Sequence, residues 1–192
     1  MGGIIYQFRK LVGEQRRYRS LAPTATPARK RRSTSGNEKL YKFVTPVAFT
    51  ESIMRAGEIF GHYSAALERG DIEAIAGFLH EEFRLEGVGL VGKREFVATM
   101  KAQLKAFPDY SENATDVEEV GDDVVQFVTH VTGTQSGTLV LPGLPPIPPT
   151  GRVIRLPREP AWVQMLDGKM LVYHVAPVPG GGIKGIVAQL KG

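Results

Sequence analysis

The chain has 192 residues, 42% apolar and 23% charged, enough to bury one core without staples. It has no cysteine, which excludes disulfides, thiolate nucleophiles and thiolate metal sites. The net charge of +4 is uneven: residues 1–42 hold eleven Lys/Arg against two acids, and the rest hold thirteen against eighteen. The basic character therefore belongs to an N-terminal extension, and the mildly acidic body has no reason of its own to bind nucleic acid.

In chain order, residues 4–19 read as a short basic amphipathic helix with Ile4, Ile5, Phe8, Leu11 and Val12 on its apolar side. Alone it is marginal in water, so it needs something to dock on. Residues 20–40 are rich in Pro, Ser, Thr and Arg and read as a linker. Arg9, Lys10, Arg16, Arg17, Arg29, Lys30, Arg31 and Arg32 are the candidate contacts to an acidic protein surface. A solvated basic linker and a localisation signal remain open for the Arg-Lys-Arg-Arg run.

No apolar run reaches the roughly 18 residues of a membrane span. The N-terminus lacks the apolar core of a secretory signal, and Tyr6 breaks the myristoylation pattern after Gly2. The expectation is a soluble, cytoplasmic protein, with an organelle interior left open by the Arg- and Ser-rich extension.

The body is expected over 43–192. The spacing predicts a helix over 51–69 on Ile53, Ala56, Phe60, Tyr63 and Leu67, capped by Thr50 and ended by Gly70. Asp71 caps a second helix over 72–79. A strand follows over 83–90, then a helix over 93–106 stopped by Pro108. From there the period becomes two. Residues 111–120 alternate weakly, and Gly121-Asp122 turns the chain. Residues 124–134 read as a long β-branched strand. Residues 136–151 hold five prolines and read as a stiff apolar loop, a lid or a contact surface. Strands over 152–166 and 169–178 flank an Asp167-Gly168 hairpin turn, and 183–190 closes as a helical turn or two. Helices first and a meander afterwards predict an α+β fold.

Several short motifs narrow this reading. They are Glu68-Arg69-Gly70-Asp71, Val91-Gly92-Lys93 with Phe96, and Phe107-Pro108-Asp109. Gly121-Asp122 with Val124 to Val128, Gly133-Thr134-Gln135-Ser136-Gly137 and Pro149-Thr150-Gly151-Arg152 follow. Asp167-Gly168-Lys169 and Gly185 to Leu190 complete the set. In this order, over 50–191, the chain resembles the SnoaL-like, polyketide cyclase-like family of the nuclear transport factor 2-like superfamily. The resemblance implies a cone-shaped, curved antiparallel sheet with three N-terminal helices on its concave face. It also implies an apolar pocket for a small hydrophobic ligand, with cyclase- or isomerase-type acid-base chemistry, and a homodimer by analogy.

The chain departs from the family pattern twice. Ala176 stands where the family places an acid, and Gln135 stands in place of a His. The candidate catalytic residues are His174, two residues from Ala176 on the same strand face, and His130. The two rings would share a cavity if the face of His130, with Val124, Gln126 and Val128, is the concave one. Candidate pocket-lining residues are Phe60, Tyr63, Phe83, Phe127, Trp162 and Met165. The acids Asp109, Glu118, Glu119, Asp122 and Asp123 read as solvated turn charge. The four His show no ligand spacing, so no metal and no cofactor is expected. The lost acid and the basic extension leave a second class of function open: a non-catalytic assembly subunit of a larger complex.

Overall fold

The structure is a computed structural model and describes residues 54–89 and 91–192. The expected basic helix, the linker, the boundary near residue 42, the cap at Thr50 and the eight candidate partner-binding cations lie outside the described residues.

Helix α1 spans Ala56–Glu68 and buries Ala56, Ile59, Phe60, Tyr63, Ala66 and Leu67, one face at the three-to-four spacing. It starts later than the expected residue 51, because Met54 and Arg55 are not helical. The cap comes from a distant strand. Gly57 donates its amide to the Glu119 carboxylate at 3.1 Å, and the same carboxylate pairs with Arg55 at 2.6 Å. A carboxylate there satisfies an unpaired amide and suits the helix dipole. Glu119, expected as solvated turn charge, thus fixes the start of α1.

Helix α2 (Ile72–Gly77) is capped by Asp71, which accepts from the Ala74 amide at 3.0 Å. Strand β1 (Leu79–Glu86) begins four residues before the expected Phe83, because Leu79 is already buried and paired with Met170. Strand β2 (Val91–Gly92) leads into α3 (Lys93–Ala106), whose bounds agree with those expected. The meander then runs through β3 (Thr115–Glu119), β4 (Val124–Thr129), β5 (Thr132–Thr134), β6 (Val153–Arg155), β7 (Glu159–Leu166) and β8 (Lys169–Val175). Helix α4 (Gly182–Lys191) follows.

The two long strands expected over 124–134 and 152–166 are each broken. Their distal parts, β5 and β6, leave the main sheet and pair with each other. The main sheet has the order β2-β1-β8-β7-β4-β3. It is mixed rather than wholly antiparallel, since β1 lies parallel to β8. The chain leaves β1, crosses through α3 and the meander, and returns with its last strand beside its first. Such a long crossover is what parallel neighbours require. The β7–β8 hairpin turns as expected at Asp167 and Gly168, both at positive φ.

Helices α1, α2 and α3 pack on one side of this sheet. The aromatic rings there touch in a chain. Phe83 meets Phe96 at 5.0 Å, Phe96 meets Tyr173 at 6.4 Å, Tyr173 meets Phe127 at 5.8 Å, and Phe127 meets Phe60 at 4.4 Å. Offset aromatic contacts of this kind add about 0.5–1.5 kcal/mol per pair beyond area burial.

The Pro-rich loop is folded onto this core: Leu139, Leu141 and Ile147 are buried, and Leu139 bridges to Ile147. Its clamp is Gln135, which is fully buried. The Gln135 amide donates toward the carbonyls of Gly137, Ile147 and Pro148, each at 3.2 Å. Its Oε1 accepts from the Thr150 hydroxyl at 2.7 Å and the Thr150 amide at 3.2 Å. A loop of prolines has few amides with which to hold itself, so one side chain supplies both donor and acceptor. Gln135→Leu keeps the volume and leaves these groups unpaired. It is expected to cost about 2–4 kcal/mol, read by urea denaturation, and to speed proteolytic cleavage within 138–150.

Candidate functional site

Between α3 and β3 the chain passes through the turn Phe107-Pro108-Asp109. Asp109 accepts from the Thr134 amide at 2.6 Å and the Thr134 hydroxyl at 2.7 Å, and these bonds hold its carboxyl below the usual range. It is therefore an anchor for β5 rather than the solvated charge expected. Ser111 pairs with Thr132, and the Glu112 carbonyl accepts from the His130 amide at 2.7 Å and the Thr129 hydroxyl at 2.9 Å. Asn113 then takes a left-handed conformation, φ 43, and its side chain donates to the His130 carbonyl at 2.8 Å. Asn tolerates this conformation better than most residues. The segment is fixed on both sides of Glu112.

The Glu112 side chain enters the core. Its Oε2 accepts from the Tyr173 hydroxyl at 3.1 Å. Burial pushes the carboxyl up to about 7, and the nearby charge of Glu159 adds to this, while the Tyr173 hydrogen bond opposes it. The phenols of Tyr63, Tyr110 and Tyr173 are all held well above their ordinary range, by burial first and by the Glu112 charge second. Among the described residues the buried Tyr63 hydroxyl has no hydrogen-bond partner. One carboxyl that titrates near neutrality thus sits among three phenols that stay protonated.

Glu159, the first residue of β7, is the more deeply buried acid, 2% exposed where Glu112 is half-buried. Its Oε1 has no partner among the described residues. Burial raises its pKa, and the Gly182 amide at the start of α4 donates to it and opposes the rise. Gly181 is required beside it, because a Cβ there would meet the Glu159 carboxyl.

The six expected pocket residues divide. Phe60, Tyr63, Phe83, Phe127 and Met165 belong to the core cluster. Trp162 does not, although it is buried. It lies in register with Gln126 and His174, whereas Ala161 and Val163 on either side belong to the core. Trp162 stacks on His174 at 5.3 Å with planes 9° apart. His174 therefore faces away from its neighbour Tyr173, because successive strand residues point to opposite faces. Its Nδ1 is buried without a partner among the described residues, and burial lowers its pKa against the raising influence of Glu86. His130 meets the Glu112 segment through its backbone only. The structure does not bring the two imidazoles together at Glu112, and the residues it does bring there, Glu112 and Tyr110, carry no role in the sequence reading. The period of two had a usable signal, since Tyr110 and Glu112 share parity. The acids at 116, 118 and 119 that follow obscured it.

Three helices on one side of a mixed, bulged sheet, with an acid buried among aromatics, define the nuclear transport factor 2-like class of α+β domain. Residues 60–173 match the SnoaL-like domain, and the chain belongs to that family. No curated protein matches the chain. Among solved structures, the chain is similar to AclR, a candidate hydroxylase from Streptomyces galilaeus. The identity is 20% over 71% of this chain and 80% of that one, with a TM-score of 0.56. A candidate polyketide cyclase from Pseudomonas putida is 23% identical over 71% and 98%, TM-score 0.54. IdmH, a candidate polyketide cyclase from Streptomyces antibioticus, is 19% identical over 72% and 100%, TM-score 0.54. At these identities the likeness establishes the fold. No helix of the described residues is long and apolar enough to cross a membrane.

The raised Glu112 pKa has a definite sign in stability. An acid with a folded pKa near 7 and an ordinary value near 4.5 binds more protons folded than unfolded between these values. The full benefit is present below about 4.5 and is lost as pH rises through about 7, up to the order of 3 kcal/mol. The melting temperature of the wild type should rise on acidification from pH 8 to 5. Glu112→Gln should flatten that rise and be the more stable protein at pH 8; an unchanged slope would refute the assignment.

Proposed function

We propose that the Glu112 cluster is an acid-base site for a small, largely apolar carbonyl compound, with chemistry of the isomerase or cyclase type. The observation that carries this reading is the near-neutral Glu112 carboxyl hydrogen-bonded to Tyr173, with the unpartnered Tyr63 hydroxyl in the same core. A base works best when its pKa lies near the working pH. As carboxylate, Glu112 takes a proton from the carbon next to the carbonyl. The C–H electron pair becomes the enolate, whose oxygen accepts a hydrogen bond from Tyr63. The protonated Glu112 then returns its proton to the same or a conjugated carbon, so that no net charge or atom is lost. The core residues Phe60, Phe83 and Phe127 supply an apolar surround that excludes water and keeps the carboxyl basic.

A second reading has the charge distribution behind it: an assembly subunit docked to an acidic partner surface through residues 1–42, which carry eleven Lys/Arg. Deleting 1–42 separates the two, since an acid-base site in the body should survive the deletion.

The direct test is deuterium uptake at the α-carbon of 2-tetralone in D2O, followed by NMR with the full chain as catalyst. The rate is expected to rise with pH and to be half-maximal near the Glu112 value of about 7. Glu112→Gln should lose about a hundredfold or more. Tyr63→Phe should lower the rate while leaving the inflection in place. Exchange by the Gln variant at the wild-type rate would sink the proposal.

A further inference from the structure

A cleft lies where the end of α1 and the start of α2 meet the second half of α3. It encloses about 380 Å3, within the size range of small-molecule sites. Leu67, Leu104 and Tyr110 supply apolar lining, and Arg69, Lys101 and Lys105 also line it. Glu68 is the one acid among the lining residues. None of the three cations forms a salt bridge among the described residues. The excess is local, because residues 43–192 carry thirteen Lys/Arg against eighteen acids.

Helix energetics account for only part of it. Arg69 at the end of α1 and Lys105 in the last turn of α3 suit the helix dipoles. Lys101 lies before that last turn and gains nothing there. It is four residues from Lys105 on the same helix face, where like charges repel. An anion between the two lysines relieves that repulsion. The apolar lining beside them has no counterpart in a merely solvated basic surface.

We propose that this cleft binds an amphipathic anion, a carboxylate or phosphate carried on an apolar chain or ring. The anionic group lies among Lys101, Lys105 and Arg69, and the apolar part covers Leu67, Leu104 and Tyr110. This site stands independently of the acid-base reading of Glu112. Tyr110 is common to both: it lines the cleft, and the Glu112 charge acts on its hydroxyl.

The test is calorimetric titration of the full chain with octanoate, octyl phosphate and octanol. Both anions should bind, the tighter one identifying the preferred head group, and octanol should bind at least about tenfold more weakly. K101E/K105E should weaken both anions by about tenfold or more. The neutral pair K101Q/K105Q, which keeps the side-chain length, should fall between. Salt should weaken the anions and leave octanol unchanged. E112Q should bind the anions as the wild type does. The proposal is overturned if neither anion binds, if octanol matches octanoate, if the charge-reversed protein retains wild-type affinity, or if E112Q abolishes binding and so moves the ligand to the interior.

Discussion

Two carboxyl groups, the half-buried Glu112 and the buried Glu159, are withdrawn from water against a core built mostly of aromatic and aliphatic side chains, and much of the domain's polar architecture is arranged around that fact. A buried carboxylate is expensive unless it is hydrogen-bonded or neutralised. Glu112 has one side-chain donor, Tyr173, and Glu159 has one backbone amide, that of Gly182. Neither arrangement satisfies both oxygens. Burial raises both pKa values, and the Glu159 charge adds to the rise at Glu112.

That pressure places demands on the backbone. Glu112 stays inward because the segment carrying it is bonded to residues 129–132, and because Asn113 turns the chain immediately after it. Asp109 fixes the same segment from the other side through Thr134. The motif Phe107-Pro108-Asp109 is thus a positioning device: Phe107 is fully buried, Pro108 stops the helix, and Asp109 ties the turn to β5. Gln135 does comparable work one residue beyond Thr134, holding the proline loop in place of the family's histidine.

Local signals carried much of the fold. The bounds of α3 follow from the position of Phe96 and Met100 and from Pro108 as a stop, and the cap of α2 follows from Asp71 alone. What the sequence hid was set by partners far away along the chain. The start of α1 depends on Glu119, 62 residues from Gly57. The break between β4 and β5 depends on which segments pair with which, since both sides are rich in β-branched residues. The site was concealed for a similar reason. Period-two logic put His174 on the face of Ala176, but could not say which face the helices cover. That choice, made by the packing of α1 to α3, directs Tyr173 rather than His174 toward the core. Beyond Glu112 the parity fails, because Asn113 and Asp116 both have positive φ.

The cost of this interior argues against a core that merely holds strands together. Replacing a buried polar or ionic group by an apolar one of similar shape is often neutral or stabilising. A Phe at position 63 would remove an unpartnered hydroxyl, and an apolar residue at 112 would remove the desolvated acid together with the pressure it puts on three phenols. The neighbouring aromatic contacts Phe60–Phe127 and Phe83–Phe96 involve neither group. On the opposite face Trp162 stacks on His174, whose Nδ1 is buried without a partner among the described residues. Two of the three buried unpartnered atoms, those of Tyr63 and Glu159, nonetheless lie on the core side of the sheet, and departures of this kind from the cheapest packing are where local cost and global fold conflict, as is expected around a functional site.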